Sequence, residues 1–129
     1  MPSYQRNAVP AYALAFAVAL PRLQAVAREH GYALAVHGSM ATDFDLIACP
    51  WKTEATSAET LIEALRIEVE GVLAERTWDT NPSIRPHGRL AWAIYPPGDG
   101  AITHTGPYFD ISVMPMLGVS LPTYTKGLL

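Results

Sequence analysis

Asp43 and Asp45 stand two residues apart at the start of an apolar run, Leu46-Ile47-Ala48-Cys49, that Pro50 ends. In extended chain alternate residues share a face, so the two carboxylates project together and Phe44 points away. Ionised carboxylates held this close repel each other, which costs stability unless a cation or a hydrogen-bond donor sits between them. Hard divalent cations such as Mg²⁺ or Mn²⁺ take oxygen ligands of this kind. Two such ions ~3.5–4 Å apart activate an attacking oxygen and stabilise a leaving one. The plain alternative is a pair of solvated strand residues. Asp110 is a third candidate. It interrupts the apolar segment Phe109-Asp110-Ile111-Ser112-Val113, so it must face solvent or have a partner. A cation held by Asp43 and Asp45 would be that partner.

His37, Gly38 and Ser39 directly precede the aspartates. His37 either contacts a phosphate or is satisfied by a local hydrogen bond. Arg89 suits bidentate pairing with a phosphate, against the plainer role of a surface arginine. His87 and His104 come from the loops flanking the segment that Arg89 opens. Trp51 and Tyr108 either stack on a base or are partly buried aromatics. Cys49 reads as a small buried hydrophobe, and Trp92 as core.

The succession of a hydrophobic strand, Gly38-Ser39, and then Asp43-Phe44-Asp45-Leu46 resembles the signature of the DNA-polymerase-β-type nucleotidyltransferase superfamily. The resemblance implies that Gly38 and Ser39, with His37 and Arg89 nearby, hold nucleotide phosphates. It also implies that Asp43, Asp45 and Asp110 bind catalytic Mg²⁺ or Mn²⁺. The implied reaction is transfer of a nucleoside monophosphate from an NTP to an acceptor. The chain is also similar, over most of Gly31 to Pro115, to small proteins of bacteriophages and prophages. One departure is visible. Only Met40, Ala41 and Thr42 separate Ser39 from Asp43, too few for a phosphate-facing helix. A short anion nest of backbone N–H groups from Ser39 to Ala41 is what this loop can offer instead. A catalytically degenerate nucleotide- or protein-binding phage accessory protein on the same fold is the alternative, and a phage packing module with separate, solvated aspartates is a third.

Several elements must position these residues. Leu20, Leu23, Val26 and Ala27 recur at helical spacing within Pro10 to His30, with Gly31 as the stop. Pro21 either kinks one long helix or begins a shorter one. Tyr32 to Val36 reads as a buried strand. Asp43 to Cys49 reads as a second, paired with it as an antiparallel hairpin or tight bend. Thr56 and Glu59 have capping-box spacing. Behind them Leu61, Ile62, Leu65, Val69, Val72 and Leu73 form one apolar stripe. Asn81 to Gly88 reads as a loop, and Arg89 to Tyr95 as a strand with Leu90, Trp92 and Ile94 on one face. Pro96 to Gly106 is a second loop, Tyr108 to Met114 the last strand. The expectation is a single α/β (α+β) domain: a mixed sheet of about four strands with two main helices, in the order α-β-β-α-β-β. Residues 1–9 form a loose arm and 116–129 an irregular tail.

Composition bounds the rest. Half of the 129 residues are hydrophobic and 16% are charged, which suits one folded core. A formal net charge of −3 argues against bulk nucleic-acid binding and leaves room for a nucleotide whose charge a metal offsets. Cys49 is the sole cysteine, so an intrachain disulfide and a cysteine-built zinc site are excluded, and a cytoplasmic location fits. The apolar run Ala11 to Leu20 is too short to span a bilayer. The alternative is a signal peptide, with Arg6 as its n-region and this run as its h-region; against it, the run passes unbroken into the helical pattern, and cleavage near Ala27 would remove a helix the small domain needs. Leu14 to Val18 serves either as a homodimer surface or as a face buried on the domain's own sheet.

Overall fold

The computed structural model describes residues 11–38, 43–73, 77–79, 81–95 and 108–116, with the side chains of 11–15, 73, 78 and 79 left aside. Two helices, α1 (Ala11–Glu29) and α2 (Ala58–Leu73), accompany a sheet of six strands. The strands are β1 (Tyr32–Val36), β2 (Phe44–Pro50), β3 (Trp78–Asp79), β4 (Ser83–Arg85), β5 (Arg89–Tyr95) and β6 (Phe109–Val113). They lie in the order β1-β2-β6-β5-β3, with β4 pairing β5 beside that row. The pairing of β2 with β6 is parallel and all other pairings are antiparallel.

The mixed α+β class and the two helices match the sequence reading, whereas the expected four strands become six. The stretch read as a loop from Asn81 to Gly88 contains β4 and a 3-10 turn, Pro86–Gly88. Ser83, Ile84 and Arg85 are all exposed, so this strand carries no burial alternation to betray it. Residues 1–9, the loop from Pro96 to Gly106 and all of the tail after Met116 lie outside the described residues.

Register explains how the faces divide. Phe44, Leu46 and Ala48 of β2 sit opposite Phe109, Ile111 and Val113 of β6. Those in turn face Ile94, Trp92 and Leu90 of β5. These residues share one side of the sheet with Tyr32 and Leu34 of β1, and they form the core with both helices. From α1 come Phe16, Ala19, Leu23 and Ala27, and from α2 Leu61, Ile62, Leu65 and Val69, all buried. Phe16 stacks on Phe44 at 5.1 Å between ring centroids and meets Phe109 at 4.4 Å. The N-terminal apolar run is therefore packed on the domain's own sheet at Phe16, while Val18 stays exposed. No helix among the described residues is long and apolar enough to cross a membrane.

Local signals account for the element ends. Pro21 lies within α1, and both Pro21 and Ala17, whose carbonyl loses its usual donor, are exposed, so water can satisfy that carbonyl. Gly31 ends the helix at φ +88°, and a Cβ there would stand 2.7 Å from the Ala55 backbone. The α2 cap falls one residue later than the capping-box spacing suggested. Ser57 Oγ accepts from the Thr60 N–H at 3.2 Å, while Thr56 Oγ1 lies 3.2 Å from His30 Nδ1. At the other end of α2, Glu70 accepts from the backbone N–H and the hydroxyl of Thr77 and pairs with Arg66. Arg22 of α1 bridges to Glu68 of α2 at 2.7 Å.

Candidate functional site

With both helices on one side, the other side of the sheet is left without a helix among the described residues. It carries alternate residues of four strands: Asp45, Ile47 and Cys49 on β2, Asp110 and Ser112 on β6, Arg89, Ala91 and Ala93 on β5, and Ser83 and Arg85 on β4. A one-residue slip in any pairing would have sent these polar groups into the core.

Asp45 and Asp110 are direct partners in the parallel register of β2 and β6. Adjacent strands lie about 4.8 Å apart, so two half-buried carboxylates stand side by side. Asp43 precedes β2, anchored where the Phe44 N–H donates to the Tyr108 carbonyl at 2.9 Å. Burial raises the Asp110 carboxyl above its usual value and the charge of Asp45 adds to that, with Arg85, His37 and Arg89 pulling the other way. Burial likewise raises Asp43; the Tyr108 hydroxyl donates to it and opposes the rise, and Asp45 and Asp110 reinforce it. The Tyr108 phenol is pushed up to about 12, first by burial and then by the charge of Asp43. Tyr95, whose ring lies 4.8 Å from that of Tyr108, is raised by burial and by Asp43 and Asp110. Asp45 and Asp110 share one side of the sheet, and Asp43 is close enough to sense both.

The bend after β1 closes on the same spot. The His37 N–H donates to the Asp45 carbonyl at 3.0 Å, extending the β1–β2 ladder. Gly38 takes φ +79°, and a Cβ on it would stand 2.7 Å from Asp45 Oδ2. Glycine is thus required both by the left-handed backbone and by the approach to the carboxylate. His37 Nε2 is buried without a hydrogen-bond partner among the described residues. No hydrogen bond to that nitrogen is seen among the described residues, so its partner is a residue outside them, a water or a ligand.

Arg89 is half-buried rather than a free surface arginine. Its Nε donates to the Pro86 carbonyl at 3.1 Å and its Nη1 to Ser112 Oγ at 3.0 Å. Ser39 and His104 lie outside the described residues. His87 is exposed. Two expectations are corrected. Cys49 is exposed, because its place in the register opposite Ala33 puts it on the uncovered side. Trp51 is 67% exposed rather than partly buried. Sequence reasoning passed over Arg85, Tyr95 and Ser112. Ser112 could have been found from its two-residue spacing to Asp110. Arg85 could not, because its strand left no pattern.

Among the described residues, no three His, Cys, Asp or Glu side chains are grouped closely enough to hold a metal ion by themselves. The hard oxygen donors of Asp45 and Asp110 nonetheless fit Mg²⁺. This ion commonly takes one or two carboxylates and fills its other positions with water and substrate phosphate. No family model matches the chain, and no curated protein or solved structure is significantly similar to it.

Proposed function

We propose that the uncovered side of the sheet is a nucleotidyltransferase-like site that transfers a nucleoside monophosphate from an NTP to a hydroxyl acceptor. The observation that carries this reading is the in-register pair Asp45–Asp110, with Asp43 beside it and the glycine bend at Gly38 closing on Asp45. Two carboxylates held side by side are costly alone and favourable once a divalent cation is shared between them.

Asp45 and Asp110 hold Mg²⁺ or Mn²⁺ in this reading. The ion supplies charge neutralisation to the phosphoryl oxygens. Asp43 accepts the proton of the acceptor hydroxyl, for which a raised carboxyl suits it, and the Tyr108 hydroxyl orients it. The acceptor oxygen forms a bond to the α-phosphorus as the bond from that phosphorus to the bridging oxygen of pyrophosphate breaks. His37 and the bend at Gly38 and Ser39 bear on the phosphates, Arg89 on their far end. The polymerase-β-type resemblance of the Gly-Ser and Asp-Phe-Asp segments supports the same assignment.

A second reading is a phage accessory protein that binds a nucleotide or a protein without turnover. The three-residue spacer after Ser39 and the lack of a ready three-carboxylate cage favour it. Calorimetric titration of ATP and GTP with Mg²⁺ or Mn²⁺ tests both readings. Metal-dependent heat that Asp45→Asn abolishes supports the site, and release of pyrophosphate separates transfer from binding. Absence of any metal-dependent nucleotide binding would remove both nucleotide readings.

A further inference from the structure

The chain turns back between β4 and β5 through His87 (φ 68°, ψ 24°) and Gly88 (φ +75°). This reversal sets Arg85 directly opposite Arg89 in the antiparallel register. Like charges placed opposite each other across two strands are destabilising. Neither arginine has a carboxylate within ion-pair distance among the described residues, although Arg22 and Arg66 both do.

Both guanidinium groups are nevertheless held. Arg85 Nε donates to Ser83 Oγ at 3.1 Å, and Arg89 is fixed to the Pro86 carbonyl and Ser112 Oγ. A guanidinium has five N–H donors, so most of those on Arg85 and about half of those on Arg89 have no acceptor among the described residues. Through Ser112, Arg89 is tied two residues along β6 from Asp110. At ~3.3 Å per strand residue that step is about 6.6 Å, a separation that a chain of two or three phosphates bridges. The residues between are small, Ala91, Ala93 and Ser112, and Ala91 and Ser112 are themselves buried. The uncovered face is therefore acidic at β2 and β6 and basic at β4 and β5.

We propose that Arg85 and Arg89 form a phosphate clamp on this face that takes the pyrophosphate end of a nucleoside triphosphate. Paired, preorganised guanidinium forks match phosphate oxygens bidentately, which lysine does not. Asp110 attracts both arginines but forms an ion pair with neither among the described residues, so a bound polyanion would complete the compensation of two like charges kept opposite each other. That the phosphates belong to the triphosphate of a nucleotidyl donor rests on the function proposed above; the clamp's affinity for phosphate does not.

The test is calorimetry with sodium pyrophosphate in EDTA, so that no metal contributes. The wild-type chain binds pyrophosphate, Arg85→Gln weakens it at least about tenfold, and Arg22→Gln, remote on α1, leaves it unchanged. Arg85 is exposed, so its variant keeps the wild-type melting temperature; Arg85→Lys recovers the charge but only part of the affinity. ATP competes with pyrophosphate and AMP does not. No pyrophosphate binding in EDTA, or equal binding by Arg85→Gln, overturns the clamp. Equal competition by AMP overturns its assignment to the triphosphate tail. If pyrophosphate binding is lost in Arg85→Gln but the wild-type shows no metal-dependent NTP binding, the clamp stands and the nucleotidyl-transfer reading falls.

Discussion

Gly38→Ala separates the cost of a strained backbone from the loss of a positioned carboxylate. Gly38 sits at φ +79°, and an added Cβ would lie 2.7 Å from Asp45 Oδ2, 3.2 Å from its Cγ and 3.3 Å from its Cβ. The left-handed conformation costs a residue with a Cβ about 1–2 kcal/mol. The carboxylate adds little to that in stability, because its oxygen is the far end of a short side chain that can rotate. With a urea slope of about 2 kcal/mol/M, a typical value for a small domain, the midpoint should drop by ~0.5–1 M. The functional loss should be larger than the stability loss suggests, because the rotated Asp45 no longer stands square to Asp110. Mn²⁺ affinity, followed by calorimetry, should fall by about tenfold or more, which is ~1.4 kcal/mol of binding. Gly71→Ala is the control. Nothing lies within 4 Å of a Cβ there, and removing a glycine from the last turn of α2 should stabilise by up to about 0.5–1 kcal/mol, the mid-helix value. A Gly38→Ala protein that loses stability as expected but binds Mn²⁺ like the wild type would refute the idea that this bend sets the Asp45 carboxylate.

Further outcomes follow from the same geometry. Because the Asp110 carboxyl is raised in the folded state, the fold binds that proton more tightly than the unfolded chain does. Its stabilising contribution is thus complete below the unfolded carboxylate pKa and is lost as pH rises through the folded one. Asp110→Asn should therefore gain in melting temperature over the wild type progressively as pH rises above the ordinary carboxylate range; a difference independent of pH would contradict the burial, reinforced by Asp45, that raises this group. Ser57→Ala should cost ~0.5–2 kcal/mol in chemical denaturation, the usual worth of a helix cap, since Ser57 rather than Thr56 receives the Thr60 N–H. Phe109→Ala should cost ~3–5 kcal/mol, because this fully buried ring packs against both Phe16 and Phe44; a loss under ~1 kcal/mol would mean that the ring cluster does not hold α1 to the sheet.

How far the sequence reached depends on what each element buries. The bounds of β1 and β5, Tyr32–Val36 and Arg89–Tyr95, were legible to the residue from their flanking stop signals, but the expected burial of β1 was not: only Tyr32 and Leu34 are buried, because β1 stands at the end of the strand order and packs one side alone. The stripe of α2 was legible because its buried residues keep helical spacing. The side taken by Asp45, opposite to Phe44, was legible too, from period-two alternation alone. That Asp110 joins them was not contained in any local pattern. It follows from β6, the last described strand, entering the sheet between β2 and β5, in a register that sets residue 110 beside residue 45. Pairing across 65 positions is decided by burying Phe109, Ile111 and Val113 under the helices; a shift of one residue would bury the aspartate instead. The same holds for Arg85. An exposed three-residue strand has no hydrophobic signature, so only its hydrogen bonds to β5 could place a second arginine opposite Arg89. Cys49 gives the converse lesson: its apolar neighbours suggested burial, but it lies on the side of the sheet that neither helix covers. Local chemistry thus named most of the polar residues of the site, and long-range strand order, set by core packing, chose which of them meet.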